Sequence, residues 1–353
     1  MGRLFSWSRL RQRMRPYWAK GLFTLFVFLA LTVYAGPITY MFVMAVKDDS
    51  MISDPQSPLL WPARAVTYEY EGEEYPVYHV PTEEGDQRWA LVVRQREESL
   101  FIDPETPELG LIEWQGRWRT LEPVWRFSPV WSNFGEAWDR LEFNTLLINT
   151  VILTAIGCLG TIVSSVVVAY GFARFRLPGQ NVLFALLIGT LLLPRDLIQI
   201  PLYGYFARIG WVGTWLPLLV PQFFSNALYV FLLRQHFRTL SKELDEAALI
   251  DGASPIRILV SIIVPQSIPV IATVGLLQSF TIWKDFYTPL LYLSTRPDLH
   301  PVAIGIAGIG TGYTAEPPIM QAASLLALII PVVIFLFTQG YILKAAEVIG
   351  GRK

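Results

Sequence analysis

Charge and sulfur are both scarce in this chain of 353 residues. Asp, Glu, Lys and Arg supply only 16% of it, there is one cysteine, and the three histidines are scattered. Cys158 sits alone in an apolar run, which excludes a disulfide framework and a thiolate metal centre. His79, His236 and His300 fall in different regions and give no ligand spacing, so no metal site is expected. No Gly-Lys dipeptide occurs, which removes the phosphate-cradling GxxxxGK[ST] loop, and neither HExxH nor GxSxG is present. The chain therefore reads as a non-enzyme that binds no cofactor of its own. A net charge of −1 gives nucleic acid no purchase.

Apolar residues are what it has instead: 53% of the chain, with 14% aromatic and a mean hydropathy of +0.41. A bilayer span needs roughly 20 apolar residues, since each adds ~1.5 Å against a ~30 Å hydrocarbon core. Six stretches meet this: Leu22–Val46, Thr145–Tyr170, Val182–Phe206, Thr214–Leu233, Ile258–Ile282 and Ala322–Leu343. The third is interrupted by Pro194-Arg195-Asp196 and is taken as one broken helix, because neither piece alone crosses the core. The predicted architecture is an all-α polytopic membrane protein of six helices.

Basic residues orient it. Arg3, Arg9, Arg11, Arg13, Arg15 and Lys20 precede the first span; Arg174 and Arg176 follow the second; Arg234, Arg238 and Lys242 follow the fourth; Lys344, Arg352 and Lys353 follow the sixth. These segments alternate as cytoplasmic ones should, so both termini are expected inside. The first apolar run continues past Pro37 to Val46, too long for a signal peptide, and is read as an uncleaved span. The predicted divisions are a basic N-terminus at 1–21, helix 1 at 22–46, an extracytoplasmic region at 47–144, a core at 145–343 and a cytoplasmic tail at 344–353.

Residues 47–144 differ in character. Val66, Tyr68 and Tyr70 alternate with polar neighbours before a turn at Glu71-Gly72-Glu73. Trp89, Leu91 and Val93 alternate again, and Ile112 and Trp114 run to Gln115-Gly116. This pattern predicts a small hairpin-rich β subdomain over Trp61–Trp125. From Pro62 to Val124 it holds fourteen acidic residues against six arginines and no lysine, a net charge of −8. Either a structural cap or a docking surface for another protein fits that composition.

The segment Glu243–Ala253 lies in the charged loop 234–257 between two apolar runs. Glu243, Asp245 and Glu246 crowd the first turn of a short helix, and Ser241 is placed to cap it. Leu244, Ala247 and Ala248 recur at i, i+3 and i+4 as a thin stripe of small apolar side chains. Gly252 suits a left-handed helix end, and Ser254-Pro255 opens a second helix. A capped elbow of this kind fits a groove on another protein as well as it fits a solvated linker.

The stretch ELDEAALIDGASPIRILVSIIVPQSIP, from Glu243 to Pro269, resembles the EAA loop of permeases of binding-protein-dependent ABC importers, in the form used by the sugar branch. The similarity runs from about Phe134 to the C-terminus, and weaker segments occur in the same order: Asn149-Thr150, Pro201-Leu202-Tyr203, Phe231–Gln235 and Trp283–Phe286. The resemblance implies a type I ABC importer permease fold in a bacterial or archaeal plasma membrane. It implies that Glu243, Glu246, Ala247, Ala248, Asp251, Gly252 and Ala253 couple to a cytoplasmic ATPase. It further implies a second related permease, two ATPase subunits or domains carrying the ATP and Mg, and an extracytoplasmic solute-binding protein. The solute would be a sugar or sugar-like compound; a polyamine or phosphorylated polyol is the alternative, and a membrane-anchored sensor with the acidic insert as receptor is the rival class.

Polar residues within the spans are candidates for a translocation path: Asn149, Gln222, Asn226, Gln278, Trp283, Lys284 and Asp285, with Ser164 and Ser165 as further inward-facing groups. Lys284 stands where relatives usually carry asparagine, and Ser241 where they carry proline. The long insert also departs from related sugar permeases. In the glycine-rich loop Arg296–Gln321, Gly310, Gly312 and Tyr313 are expected to contact the binding protein.

Overall fold

A computed structural model describes residues 7–52, 54–82, 85–309 and 316–349. The chain divides into two compact units, Met1–Gly135 with Glu316–Ala322, and Glu136–Ala315 with Ala323–Lys353.

The first unit opens with helix α1, Trp7–Ala45, whose apolar stretch Lys20–Ala45 is long enough to cross a membrane. Its described side chains are exposed nearly to the end, where Val43, Met44, Ala45 and Val46 become buried. The Asn133 side chain donates to the carbonyls of Ala45 and Lys47 (2.9 and 2.8 Å), closing the helix end. Lys47, 3% exposed, donates to the Pro58 carbonyl (2.6 Å), and burial holds its ammonium below the ordinary lysine range.

Among the described residues eight antiparallel strands follow: β1 Ala63–Ala65, β2 Thr67–Tyr70, β3 Glu73–Thr82, β4 Gly85–Val93, β5 Glu98–Ile102, β6 Leu111–Gln115, β7 Glu122–Pro123 and β8 Trp125–Phe127. Strands β2 to β6 lie side by side in chain order, β7 pairs with β3, and β1 pairs with β8. Glu71 and Gly72 both adopt positive φ, the twist that closes a two-residue hairpin between Tyr70 and Glu73. Period-two alternation buries both faces. Tyr78, Val80, Leu91, Phe101 and Leu121 gather on one side, and Val77, Ala90, Ile102 and Val124 on the other. The Phe101 ring, fully buried, meets Trp114 edge-on at 5.9 Å and Trp89 at 6.4 Å.

The regular elements of the second unit are all helical among its described residues. Its elements run α2 Ser132–Arg140 (begun in the first unit), α3 Phe143–Arg174, α4 Gln180–Gly189, α5 Arg195–Arg208, α6 Leu216–Leu219, α7 Ala227–Thr239, α8 Lys242–Ile250, α9 Pro255–Ile258, α10 Val264–Gln266, α11 Ile268–Trp283, α12 Tyr287–Leu293, α13 Val302–Ile309 and α14 Pro317–Ile349. Among the described residues, four helical stretches are long and apolar enough to cross a bilayer: 20–45, 143–174, 216–239 and 317–342. Two bent pairs also qualify if each is counted as one span. Gln180–Leu192 and Leu197–Arg208 meet at 97°, and Pro255–Gln266 and Ile268–Trp283 at 83°.

The bends have chemical causes. Pro194 lies at the first, and its ring disfavours helix in the residue before it. The second falls between Pro265 and Pro269, neither of which donates a backbone N–H, just after a π-helical turn over Leu259–Ile263. The fifth predicted stretch, Ile258–Ile282, therefore carries a bend within its length. The fourth is broken too, at Ser225 (φ 62°), and restarts at Asn226, whose side chain accepts from the backbone N–H of Leu228 at 2.9 Å. Ser164 and Ser165 on α3 accept the N–H groups of Ser225 and Asn226 (3.0 and 3.2 Å), groups that the break would otherwise leave bare.

Helix α3 is central. Val166, Ala169 and Tyr170 join Tyr229, Val230, Leu233 and Phe237 of α7, Ile258 of α9, and Val270 and Val274 of α11 in one buried cluster. At Gly160 a Cβ would stand 2.9 Å from the Phe223 ring, so the bare glycine admits that close approach.

Phe101→Ala is expected to cost the β region about 3–5 kcal/mol, the usual penalty for emptying a buried aromatic site. Thermal melts of the purified chain should then show an earlier tryptophan-fluorescence transition with an unchanged helical circular-dichroism transition.

Candidate functional site

Helix α8 carries the acidic-alanine motif. The Glu243 N–H donates to the Ser241 hydroxyl at 3.2 Å, and Glu243 and Asp245 occupy the first turn, where a helix favours negative charge. At the other end Gly252 N–H donates to Leu249 C=O (3.0 Å) and Ala253 N–H to Ala248 C=O (2.9 Å). This paired pattern closes the helix through a residue in the left-handed region, and Gly252 has φ +77°. Ser254 then caps the next helix by accepting from Arg257 N–H at 3.3 Å, with Pro255 in the first turn. The chain turns the corner with Ser241 and Ser254 each accepting a first-turn amide of the helix that follows it.

The two faces of α8 differ. Ala248 and Ala253 pack onto the buried cluster around Val166 and Leu233. Glu243, Glu246, Ala247, Asp251 and Gly252 are exposed. So are Leu244, Leu249 (54%), Ile250 (87%) and, beyond the corner, Ile256 (75%). The expected stripe of Leu244, Ala247 and Ala248 is therefore split. Ala248 serves the chain's own packing, while Leu249 and Ile250, which the spacing did not single out, supply the free apolar surface.

A second tie was not visible in the sequence. The Arg174 Nε lies 2.7 Å from Asp245 Oδ2, their side chains 6% and 14% exposed, and Arg174 Nη2 donates to the Leu240 carbonyl at 3.2 Å. The last turn of α3 thereby grips both the approach to α8 and α8 itself. Seventy-one positions separate the two charges, and only the folded chain reveals their pairing.

The candidate path residues do not form one row. Gln278 Nε2 donates to Gln222 Oε1 at 2.8 Å, and the Thr161 hydroxyl lies 3.2 Å from the same oxygen, a small polar knot among α3, α11 and the turn after α6. Asn149 instead donates to the carbonyls of Asp298 and His300 (2.9 and 3.0 Å), clamping the loop after α12. In that loop Arg296 and Asp298 form a two-point ion pair at 3.0 and 2.8 Å, and hydrogen bonding from the guanidinium holds the Asp298 carboxyl below the usual range. Asn226 caps α7. Trp283 Nε1 donates to Ala327 C=O on α14 at 3.2 Å. Asp285 accepts from Thr288 N–H at 3.1 Å and starts α12, whereas Lys284 borders a separate apolar cleft with Phe280, Trp283, Leu328 and Phe335. Gly310, Gly312 and Tyr313 lie outside the described residues. Among the described residues no cluster of His, Cys, Asp or Glu could hold a metal ion.

Apolar helices long enough to cross a bilayer, with an acidic capped corner at Lys242–Ile250, fit the class to which the family model assigns the chain, a membrane permease of an ABC transporter. The chain belongs to the family of binding-protein-dependent transport system inner membrane components, whose model matches residues 147–345. It is 35% identical over 212 residues to the sn-glycerol-3-phosphate transport system permease protein UgpE of Shigella flexneri, covering 60% of this chain and 74% of that one. It is 32% identical over 214 residues to the melibiose/raffinose/stachyose import permease MelC of Bacillus subtilis (59% and 76% covered). The osmoprotective compounds uptake permease GgtD of Synechocystis is 28% identical over 249 residues (69% and 83% covered). Among solved structures, a bacterial ABC transporter involved in the import of the acidic polysaccharide alginate shares the fold at a TM-score of 0.63 and 18% identity, over 97% of this chain and 100% of that one.

Either Arg174→Gln or Asp245→Asn strands a charge at a mostly buried site and should destabilise the docking of α8 by about 3 kcal/mol. The double variant should lose less than the sum. Hydrogen exchange at the amides of Ala247–Ala253 measures this, with faster exchange in each single variant than in the pair.

Proposed function

We propose that this permease imports a sugar or sugar-like solute and that the corner around Glu246–Gly252 is its coupling element. In this reading α8 seats in a cleft of a cytoplasmic ATPase, two ATPase subunits or domains hydrolyse ATP, and a second related permease completes the pathway. An extracytoplasmic binding protein delivers the solute. Residues 47–144 lie outside, both termini lie inside, and the bent pairs Gln180–Arg208 and Pro255–Trp283 each count as one span, giving six.

One observation carries the coupling role. A helix held from within by Arg174 and Ala248 bares Leu249 and Ile250, with Ile256 exposed just past the corner, and exposed apolar side chains rimmed by charge in this way suit a surface for a partner. Because both ends of α8 are capped and its inner face is fixed, displacement of the outer face is passed to α3 and α9 with little give. The spans then rock between inward- and outward-facing arrangements, as alternating access requires. The sugar class is supported by the melibiose/raffinose/stachyose relative and by the form of the motif, and the phosphorylated-polyol alternative by the UgpE relative.

Gly252→Val forces a β-branched residue into left-handed backbone. In the reconstituted transporter the expected outcome is continued ATP hydrolysis with at least a tenfold loss of uptake. An Ile250→Cys variant in a Cys158→Ser background should crosslink to the ATPase. Normal uptake in the first, or no ATPase captured by the second, removes the coupling role.

A further inference from the structure

Along the ribbon of β1 and β8 the charge of the first unit reverses. Residues 59–64 and 125–131 contain two arginines and no acidic residue, whereas Pro62–Val124 as a whole carries a net charge of −8. Strand pairing sets Arg64 directly opposite Arg126, and both are exposed. Like charges at opposed positions of an antiparallel pair repel each other. Among the described residues neither guanidinium has an ion-pair partner. Two cationic forks side by side suit a phosphate group, which accepts paired hydrogen bonds from arginine.

The other face of the ribbon is apolar. Side chains alternate along a strand, so Phe127 lies on the face away from the arginines. Trp61 stacks on it, with ring centroids 6.4 Å apart and planes 26° from parallel. Phe127 is 69% exposed, and Leu59 and Leu60, just before Trp61, are 70% and 86% exposed. Neighbouring large side chains left this bare mark a surface for an apolar environment.

Position identifies that environment. Val130 N–H donates to Val46 C=O at 2.8 Å and Ser128 N–H to Pro62 C=O at 3.0 Å, which ties the ribbon to the end of α1. Trp131 meets Phe42 of α1 edge-on at 6.0 Å and stacks on Phe134 at 6.2 Å. The stretch Lys20–Ala45 has 26 residues, about 39 Å of helix at ~1.5 Å each against a hydrocarbon core of ~30 Å, so its ends reach headgroup level. A ribbon fastened there lies at the depth where tryptophan collects and where lipid phosphates are found. A protein neighbour would account for the aromatic face alone. The paired arginines on the opposite face, and the ring contact with an exposed span, favour lipid.

We propose that the β1–β8 ribbon is an interfacial lipid anchor. Its aromatic face enters the boundary between headgroups and acyl chains, and Arg64 and Arg126 together hold the phosphate of an anionic phospholipid. The anchor requires α1 to span the bilayer and is independent of which solute is carried. It gives the insert a second footing on the membrane besides α1 itself.

The test uses the full chain with Cys158→Ser and a bimane label on Leu60→Cys, in vesicles of equal parts phosphatidylcholine and phosphatidylglycerol. Brominated acyl chains are expected to quench the label at least threefold, while aqueous iodide changes it little. In phosphatidylcholine alone, or in the mixed vesicles with Arg64→Gln and Arg126→Gln combined, lipid quenching should fall by at least half. Arg88→Gln, on β4, should leave it intact, and inorganic phosphate added to phosphatidylcholine vesicles should not restore it. Quenching by iodide in place of bromolipid overturns the anchor, as does quenching by neither, which would mean that protein covers the ribbon. It is equally overturned by lipid quenching that is as strong in phosphatidylcholine alone, survives the double variant, falls as far with Arg88→Gln, returns with free phosphate, or vanishes in the assembled transporter.

Discussion

Hydrocarbon supplies no partner for a backbone N–H or C=O, and this one constraint accounts for most of what the polar residues in the apolar stretches do. The chain breaks its helices at Leu193–Pro194, Ser225–Asn226 and Ser267. At Ser225–Asn226 the side chains of Ser164 and Ser165 take up the freed amides, and Asn226 caps the restart. At Ser267 the hydroxyl donates back to the Ile263 carbonyl at 2.7 Å. Asn149 performs the same service for two carbonyls of the loop at Asp298 and His300. Polar atoms that complete the backbone cannot at the same time be assigned freely to a passing solute. Those left over, on Thr154, Gln199 and Tyr292 among others, stand out for that reason.

The elements most legible in the sequence were those whose signal is local. The capped helix with Ser241 before it and Gly252 after it follows from neighbouring residues alone, and the structure has it at Lys242–Ile250. The alternation at Tyr68–Tyr70 and Trp89–Val93 coincides with β2 and β4, because the pleat repeats every two residues. What hydropathy could not report was direction. A run such as Ile258–Ile282 is equally apolar whether straight or bent by 83°, and only the prolines within it, Pro265 and Pro269, hinted at the bend.

The same limit applied to the site. Spacing put Leu244, Ala247 and Ala248 on one stripe, but which way that stripe points depends on Arg174, seventy-one residues before Asp245. Arg174 read first as one of several basic residues that orient the loops. Its second role, as the grip on α8, arises from long-range packing that no local pattern encodes.

The greasy knob at Leu249, Ile250 and Ile256 carries an energetic consequence. Each of these side chains, left uncovered in water, forgoes the gain that burial brings, so whatever covers them collects apolar contact without first rearranging α8.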